Sequence, residues 1–512
     1  MKNIYSIILL LAIILWSSCR SDFDFTETSG RLVFSRDTVF LDTVFSNISS
    51  ATYTLKVYNR SGEDVFVPEV NLRNGENSYY RLNVDGLSGK SFENIEILAK
   101  DSIYIFIETT VDAEDFPEEE FLYTDALQFR SSGHLQEVPL VTLIKDAVLL
   151  YPQKGNDGKP GTVSIEDPES GEEILVPGFF LEEEQLVFTN EKPYVIYGFA
   201  VVPSQKDLKI EAGARIYFHA NSGLLISENA SLQVDGIYSE DRQQLENEVI
   251  FEADRQQKQF ENVPGQWSGI RFKKGSKKSH FKHTTIKNAG IGVWISGDAL
   301  SSPVSLELQN VQIYNSAVNG LRLENADIYA ENLVINNSGQ SSLHIIGGNH
   351  EYTHCTIANY WQKGYRQFPS VLIENVENSS GIDLQKANFY NSIIYGNDRL
   401  ELFFNKTENS FNVFFQNCLI RFQDEQGSFN GNPLYDFSNE EIFKDVLLNQ
   451  DPIFKDPLKN QLMLTETSPV VDQADPEKAA SVPLDLLQHP RLPEPDIGAY
   501  EFVPPVEENS GN

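Results

Sequence analysis

Residues 331–339 read ENLVINNSG. Twenty-two residues earlier the chain has QNVQIYNSA (309–317), and twenty-two residues later THCTIANYW (353–361). Aligned on the isoleucine, six such lines emerge, each with an Asn or His three residues ahead of it: His283/Ile286, Asn310/Ile313, Asn332/Ile335, His354/Ile357, Asn391/Ile394 and Asn417/Ile420. Successive isoleucines are 27, 22, 22, 37 and 26 residues apart, and in four lines a second Asn follows two residues later (Asn288, Asn315, Asn337, Asn359). Short alternating runs at this period, divided by Asn/Gly turns and without helical periodicity, mark a solenoid of strands. Leucine-rich repeats share the period but need a leucine scaffold that is missing here. A parallel β-helix fits. Its isoleucines stack inside, one per coil, and its Asn and His side chains form a ladder at a bend, each bonded to its copies above and below. His283, Asn310, Asn332, His354, Asn391 and Asn417 are therefore read as structural ladder residues.

A second strand recurs seven to ten residues after each anchor: GVWIS (292–296), GLRLE (320–324), SLHII (342–346) and, less cleanly, RLELFF (399–404). Strand alternation sends Val293/Ile295, Leu321/Leu323 and Leu343/Ile345 inward and leaves Trp294, Arg322 and His344 in one outward column, with Glu324 a position further on. This column is the best candidate for a surface with chemistry. Upstream, LKIEAGARIYF (208–218), GLLISENASLQVDG (223–236), EVIFEAD (248–254) and WSGIRFKKG (267–275) continue strand, turn, strand. The helix is expected over 191–465, a rod on the order of 50 Å long.

Residues 26–147 have a different texture. Seven or eight short β-branched and aromatic runs, spaced by Gly, Asn and Asp turns, predict a β-sandwich. The stretch 148–190, rich in Pro, Gly and acid, reads as an acidic connector. Its carboxylates could hold Ca2+, but no calcium-loop spacing indicates it, and no other cofactor or metal motif is present. The end of the chain, 466–512, is read as a cap for the last coil, with Asp472, Asp496 and Glu501 as cap residues, because an open coil exposes unpaired backbone groups.

The chain begins MKNIYSIILLLAIILWSSCRSDFDF, with an apolar run from Ile7 to Leu15 too short to span a bilayer. It reads as a signal segment, 1–18, followed by a tether, 19–25. Besides Cys19 there are only Cys355 and Cys418, so disulfides do not carry the fold. The latter two fall in coils two apart, about 10 Å between Cα atoms, beyond disulfide reach. A formal net charge of −34 argues against nucleic acid and anionic membrane surfaces as partners.

Ser17, Ser18 and Cys19 resemble a bacterial lipobox, and DPIFKDP, SPVVDQAD and PDIGAYEF resemble the closing segment of secreted β-helix proteins. Taken with the sandwich and the anchored coils, the chain resembles Bacteroidetes surface lipoproteins that carry an immunoglobulin-like domain and a right-handed parallel β-helix of the pectate-lyase-like kind. The resemblance implies an all-β fold: an N-terminal β-sandwich serving as a spacer, a right-handed single-stranded parallel β-helix, and a C-terminal cap. It implies a lipidated Cys19 anchoring the chain in the outer membrane, facing the cell surface or else the periplasm; the sequence leaves the oligomeric state open, with a monomer as the expectation. It does not fix activity, because this fold hosts lyases, hydrolases, adhesins and scaffolds.

Three functions are open. As a polysaccharide lyase or glycoside hydrolase, the chain would use Arg322, Glu324 and His344 as base and cation, although no pair of aspartates on consecutive strands supports hydrolysis. As a glycan-binding protein, it would use Trp294 and the loop NYWQKGYRQF (359–368). There Tyr360, Trp361 and Tyr365 could stack on sugar rings while Lys363 and Arg366 pair with acid groups. The basic run RFKKGSKKSHFKH (271–283) is a second candidate for acidic polysaccharide. As an adhesin or scaffold, it would meet another envelope protein along the rod. Glycan binding without catalysis is the favoured expectation.

Overall fold

A computed structural model describes residues 25–504, apart from 30–31, 113–119, 156–157, 168–169, 298–302 and 378–379. The expected signal segment, 1–18, and Cys19 lie outside the described residues. The described residues fall into two compact units that divide between Asp146 and Ala147.

The first unit is the expected sandwich. One sheet joins Val65–Leu72, Glu120–Ser131, His134–Lys145 and Val39–Phe45; the other joins Tyr53–Tyr58, Ser102–Thr109 and Tyr80–Val84, with shorter strands at the edges. Alternation builds the core between them: Ile103, Ile105 and Ile107 point inward beside Leu55 of their own sheet and share one core with Val70, Leu127 and Leu140 of the other.

The second unit is a parallel β-helix. Its ladders run Ile286↔Ile313↔Ile335↔Ile357↔Ile394↔Ile420, so the aligned isoleucines stack in register. All of them are fully buried in one continuous apolar core. Inside the later coils an aromatic stack takes over: ring centroids are 4.7 Å apart for Tyr352–Phe389, 4.9 Å for Phe389–Phe415 and 5.3 Å for Phe415–Phe443. These distances are close to the strand spacing itself. Cys355 and Cys418 are free and buried. Among the described residues no helix is long and apolar enough to cross a membrane.

All six ladder residues adopt the left-handed backbone conformation, with φ between 41° at His283 and 57° at Asn310. This explains the restriction to Asn and His, since few other side chains tolerate that bend. The ladder is discontinuous. Asn332 donates to Asn310 (2.8 Å), Asn310 to His283 (3.2 Å), and separately Asn391 to His354 (3.0 Å).

Two boundaries differ from expectation. The acidic connector is part of the helix: Val148–Leu150 pairs with Tyr194–Ile196, Gly178–Phe180 with Phe199–Val201, and Leu150 and Phe188 are core residues. The polar, Pro/Gly-rich texture of 148–190 belongs to a hairpin, Thr162–Glu166 with Glu173–Phe180, that folds onto the outer face of the coils.

The segment after 448 does not finish the last coil. It lies along the flank and occupies the gaps in the ladder: Asn332 donates to Leu484 O (3.0 Å), Asn391 to Asp475 O (3.0 Å) and Asn417 to Gln473 O (3.1 Å). Asn460 joins the second row of asparagines, accepting from Asn337 (2.7 Å) and donating to Asn315 (3.3 Å). The end of the core is closed earlier, by Phe422, Phe429, Tyr435 and Phe437. There the Tyr435 hydroxyl accepts the Phe404 amide at 2.7 Å.

Candidate functional site

The outward column exists in the predicted register. Trp294 pairs with Arg322 and Arg322 with His344; the structure extends the column to Arg271 on one side and to Leu372 and Phe403 on the other. Six adjacent strands at about 4.8 Å give a face roughly 24 Å long.

Trp294 is in the column but is not a sugar platform. It is 2% exposed, its ring lying between the Arg271 and Arg322 guanidinium carbons at 4.9 and 5.0 Å. Its indole N–H donates to Glu324 Oε1 at 3.1 Å, and Arg322 Nε donates to the same oxygen at 2.7 Å. Glu324 is buried and holds both partners, whereas the Arg322 side chain keeps 25% of its surface exposed.

On the next coils His344 Nε2 lies 2.6 Å from Glu374 Oε2. Because a carboxylate only accepts, Nε2 carries the proton. Burial works to raise the Glu374 carboxyl, but the hydrogen bonds from His344 and Asn405 outweigh it and hold the group below the ordinary carboxylate range. Glu374 is therefore an anion that orients the imidazole.

Two grooves flank Arg322 on this face. One, about 450 Å³, is lined by His344, Leu372, Glu374, Phe403 and Asn405, with Gln367, Phe368 and Pro369 along its wall. The other, about 410 Å³, is lined by Arg271, Lys273, Lys274 and Trp294 beneath Glu166 and Glu173 of the hairpin. The basic run is thus divided: its first residues enter this second groove, while Lys278 pairs with Glu307 and His280 with Asp235.

The aromatic loop contributes less than its composition implies. Arg366 is buried, both terminal nitrogens bonded to Glu401 (2.8 and 2.6 Å), so it fastens the loop to the rod and is withdrawn from ligand. Tyr360 packs against Phe454, and Trp361 is half-buried. Lys363 is exposed and Tyr365 is 91% exposed. Sequence reasoning missed Glu374 and Leu372. SVLIE (370–374) carries the same alternating signal but sits within the long 37-residue interval, where no anchor marks it. No group of His, Cys, Asp or Glu able to hold a metal ion occurs among the described residues. No protein family matches the chain, and no curated protein matches it.

Proposed function

We propose that this chain is an outer-membrane lipoprotein, anchored through Cys19, that binds acidic glycan along the outward column of its β-helix. The observation that carries the proposal is the pair of grooves on either side of the part-exposed Arg322, one offering cations and the other apolar and hydrogen-bonding groups. A guanidinium suits the planar carboxylate or sulfate of an acidic sugar, and apolar walls suit its ring faces.

The test is retention of the soluble chain, lacking residues 1–19, on immobilised acidic and neutral polysaccharides. Retention on an acidic polymer is expected, and Arg322→Ala should weaken it about tenfold, the loss of one charge-assisted pair. Lys363→Ala and Tyr365→Ala should each lower retention less, and should leave stability within about 0.5 kcal/mol because both side chains are exposed. Binding to no polymer in a broad panel would leave the face to a protein partner.

The Glu374-held imidazole favours catalysis as the second reading. Release of unsaturated or reducing sugar, abolished by His344→Ala with retention kept, would establish it.

A further inference from the structure

The face is not open at both ends. Its column begins with Phe180, Val201 and Leu225, one strand apart and ahead of Arg271, yet Val201 and Leu225 are buried. Val163, Ile165 and Val176 of the hairpin cover them in a small core of their own with Phe199. The hairpin is fixed where it crosses. Arg271 Nη1 donates to Glu166 O at 2.6 Å, Ser296 donates to the Glu166 carboxylate, and Lys273 lies 3.8 Å from Glu173. The crossing is also tight, since a Cβ on Gly178 would sit 2.4 Å from Val163 and 2.8 Å from Phe199 O. A chain lying along Phe403, Leu372, His344 and Arg322 therefore meets a wall at Arg271.

The chemistry at the wall is mixed. Arg271, Lys273 and Lys274 line the blind groove together with Glu166, Glu173 and Glu228. Carboxylates accept hydrogen bonds and repel anions, so they serve hydroxyl groups, while the cations serve an acid group. An acidic sugar offers both; a terminal one bears in addition the hydroxyl that an internal sugar spends on its linkage, and it alone can enter a groove closed by the hairpin.

Resting on the glycan-binding proposal above, we infer that the blind groove under the hairpin receives a chain end, so that this protein recognises termini of acidic glycans and not their interiors. The test is competition against an immobilised acidic polysaccharide by soluble oligosaccharides of the same repeat, a few sugars long, and by the full polymer. Equal potency per chain is expected, so that the oligosaccharide far exceeds the polymer per unit mass. Potency that follows mass overturns the inference and leaves glycan binding standing; failure of every competitor and polymer to bind removes both.

Glu173→Gln combined with Glu228→Gln changes two exposed side chains and keeps their size. It should weaken the oligosaccharide about tenfold, as the loss of a charge-assisted hydrogen bond does. No change would overturn the assignment of those carboxylates to the chain end. Gly178→Ala, which displaces the hairpin, should move competition from chain number toward mass.

Discussion

Arg491→Ala is expected to cost about 3–5 kcal/mol of stability, because it strips the partner from a buried carboxylate. The effect should be read as a fall in the urea midpoint. Arg491 lies on the flanking C-terminal segment with its side chain wholly out of solvent, one terminal nitrogen on Glu501 and the other 2.6 Å from Asn332 Oδ1. Burial pushes the Glu501 carboxyl up to about 7 even with the guanidinium beside it. Without that charge, Glu501 keeps only the Asp496 amide at 3.2 Å, and the Asn332 side-chain oxygen loses its donor. The loss also reaches the ladder: Arg491 donates to Asn332, Asn332 to Asn310 and Asn310 to His283, so the arginine, together with Leu484 O, which accepts from the Asn332 amide, fixes which way the amides face. Lys459→Ala, on the same segment but with an exposed ion pair, should leave the urea midpoint essentially where it is. The double change Arg491→Met with Glu501→Gln should recover part of the loss; no recovery would mean that Arg491 acts through packing alone.

This role for the C-terminal segment was not legible in the sequence, whereas the coils were. Ile286 to Ile420 could be aligned because each coil repeats the same inward position and the same left-handed bend, and both leave residue-type signatures. The flank contacts leave none. Leu484, Asp475 and Gln473 present backbone carbonyls to the ladder, and any residue type supplies a carbonyl. The hairpin was hidden for a related reason. Val163 and Ile165 alternate correctly, but the surrounding Pro, Gly and acid describe its solvent face and mask the apolar one. At the site, alternation placed Trp294, Arg322 and His344 in one column, since it depends only on the chain. Exposure depends on neighbours: two guanidinium groups bury Trp294, and Glu401 withdraws Arg366.

Acid should weaken the β-helix through His350 and His354 in a way that variants at those positions lack. His350 is fully buried; its Nε2–H donates to Gly347 O at 2.8 Å, and its Nδ1 has no partner, so burial depresses the imidazole to about 4. His354 is held well below its ordinary value, again by burial first. Its Nε2 accepts from Asn391 at 3.0 Å, and that amide cannot turn over, because Asp475 N donates to its oxygen at 2.8 Å. A second proton on either ring would therefore be a buried donor facing no acceptor. The sign follows from the depressed value. Above about pH 6.5 both folded and unfolded chains hold neutral histidine, and below it the unfolded chain takes up protons that the folded chain refuses. Stability from this source is whole above pH 6.5 and falls as the pH drops toward 4, by roughly 3 kcal/mol for His350 across that window. Glu401 and Glu501, whose carboxyls burial raises, work in the opposite direction. The decisive quantity is therefore the difference between wild type and His350→Leu, measured as urea midpoints from pH 7.5 to 4.5. A packing change adds a constant to that difference, whereas the refused proton gives it a slope below about pH 6.5, the wild type losing ground to the variant with each further step into acid. Parallel profiles would show that His350 is protonated in the folded coil, and its Nδ1 would then need an acceptor inside the core.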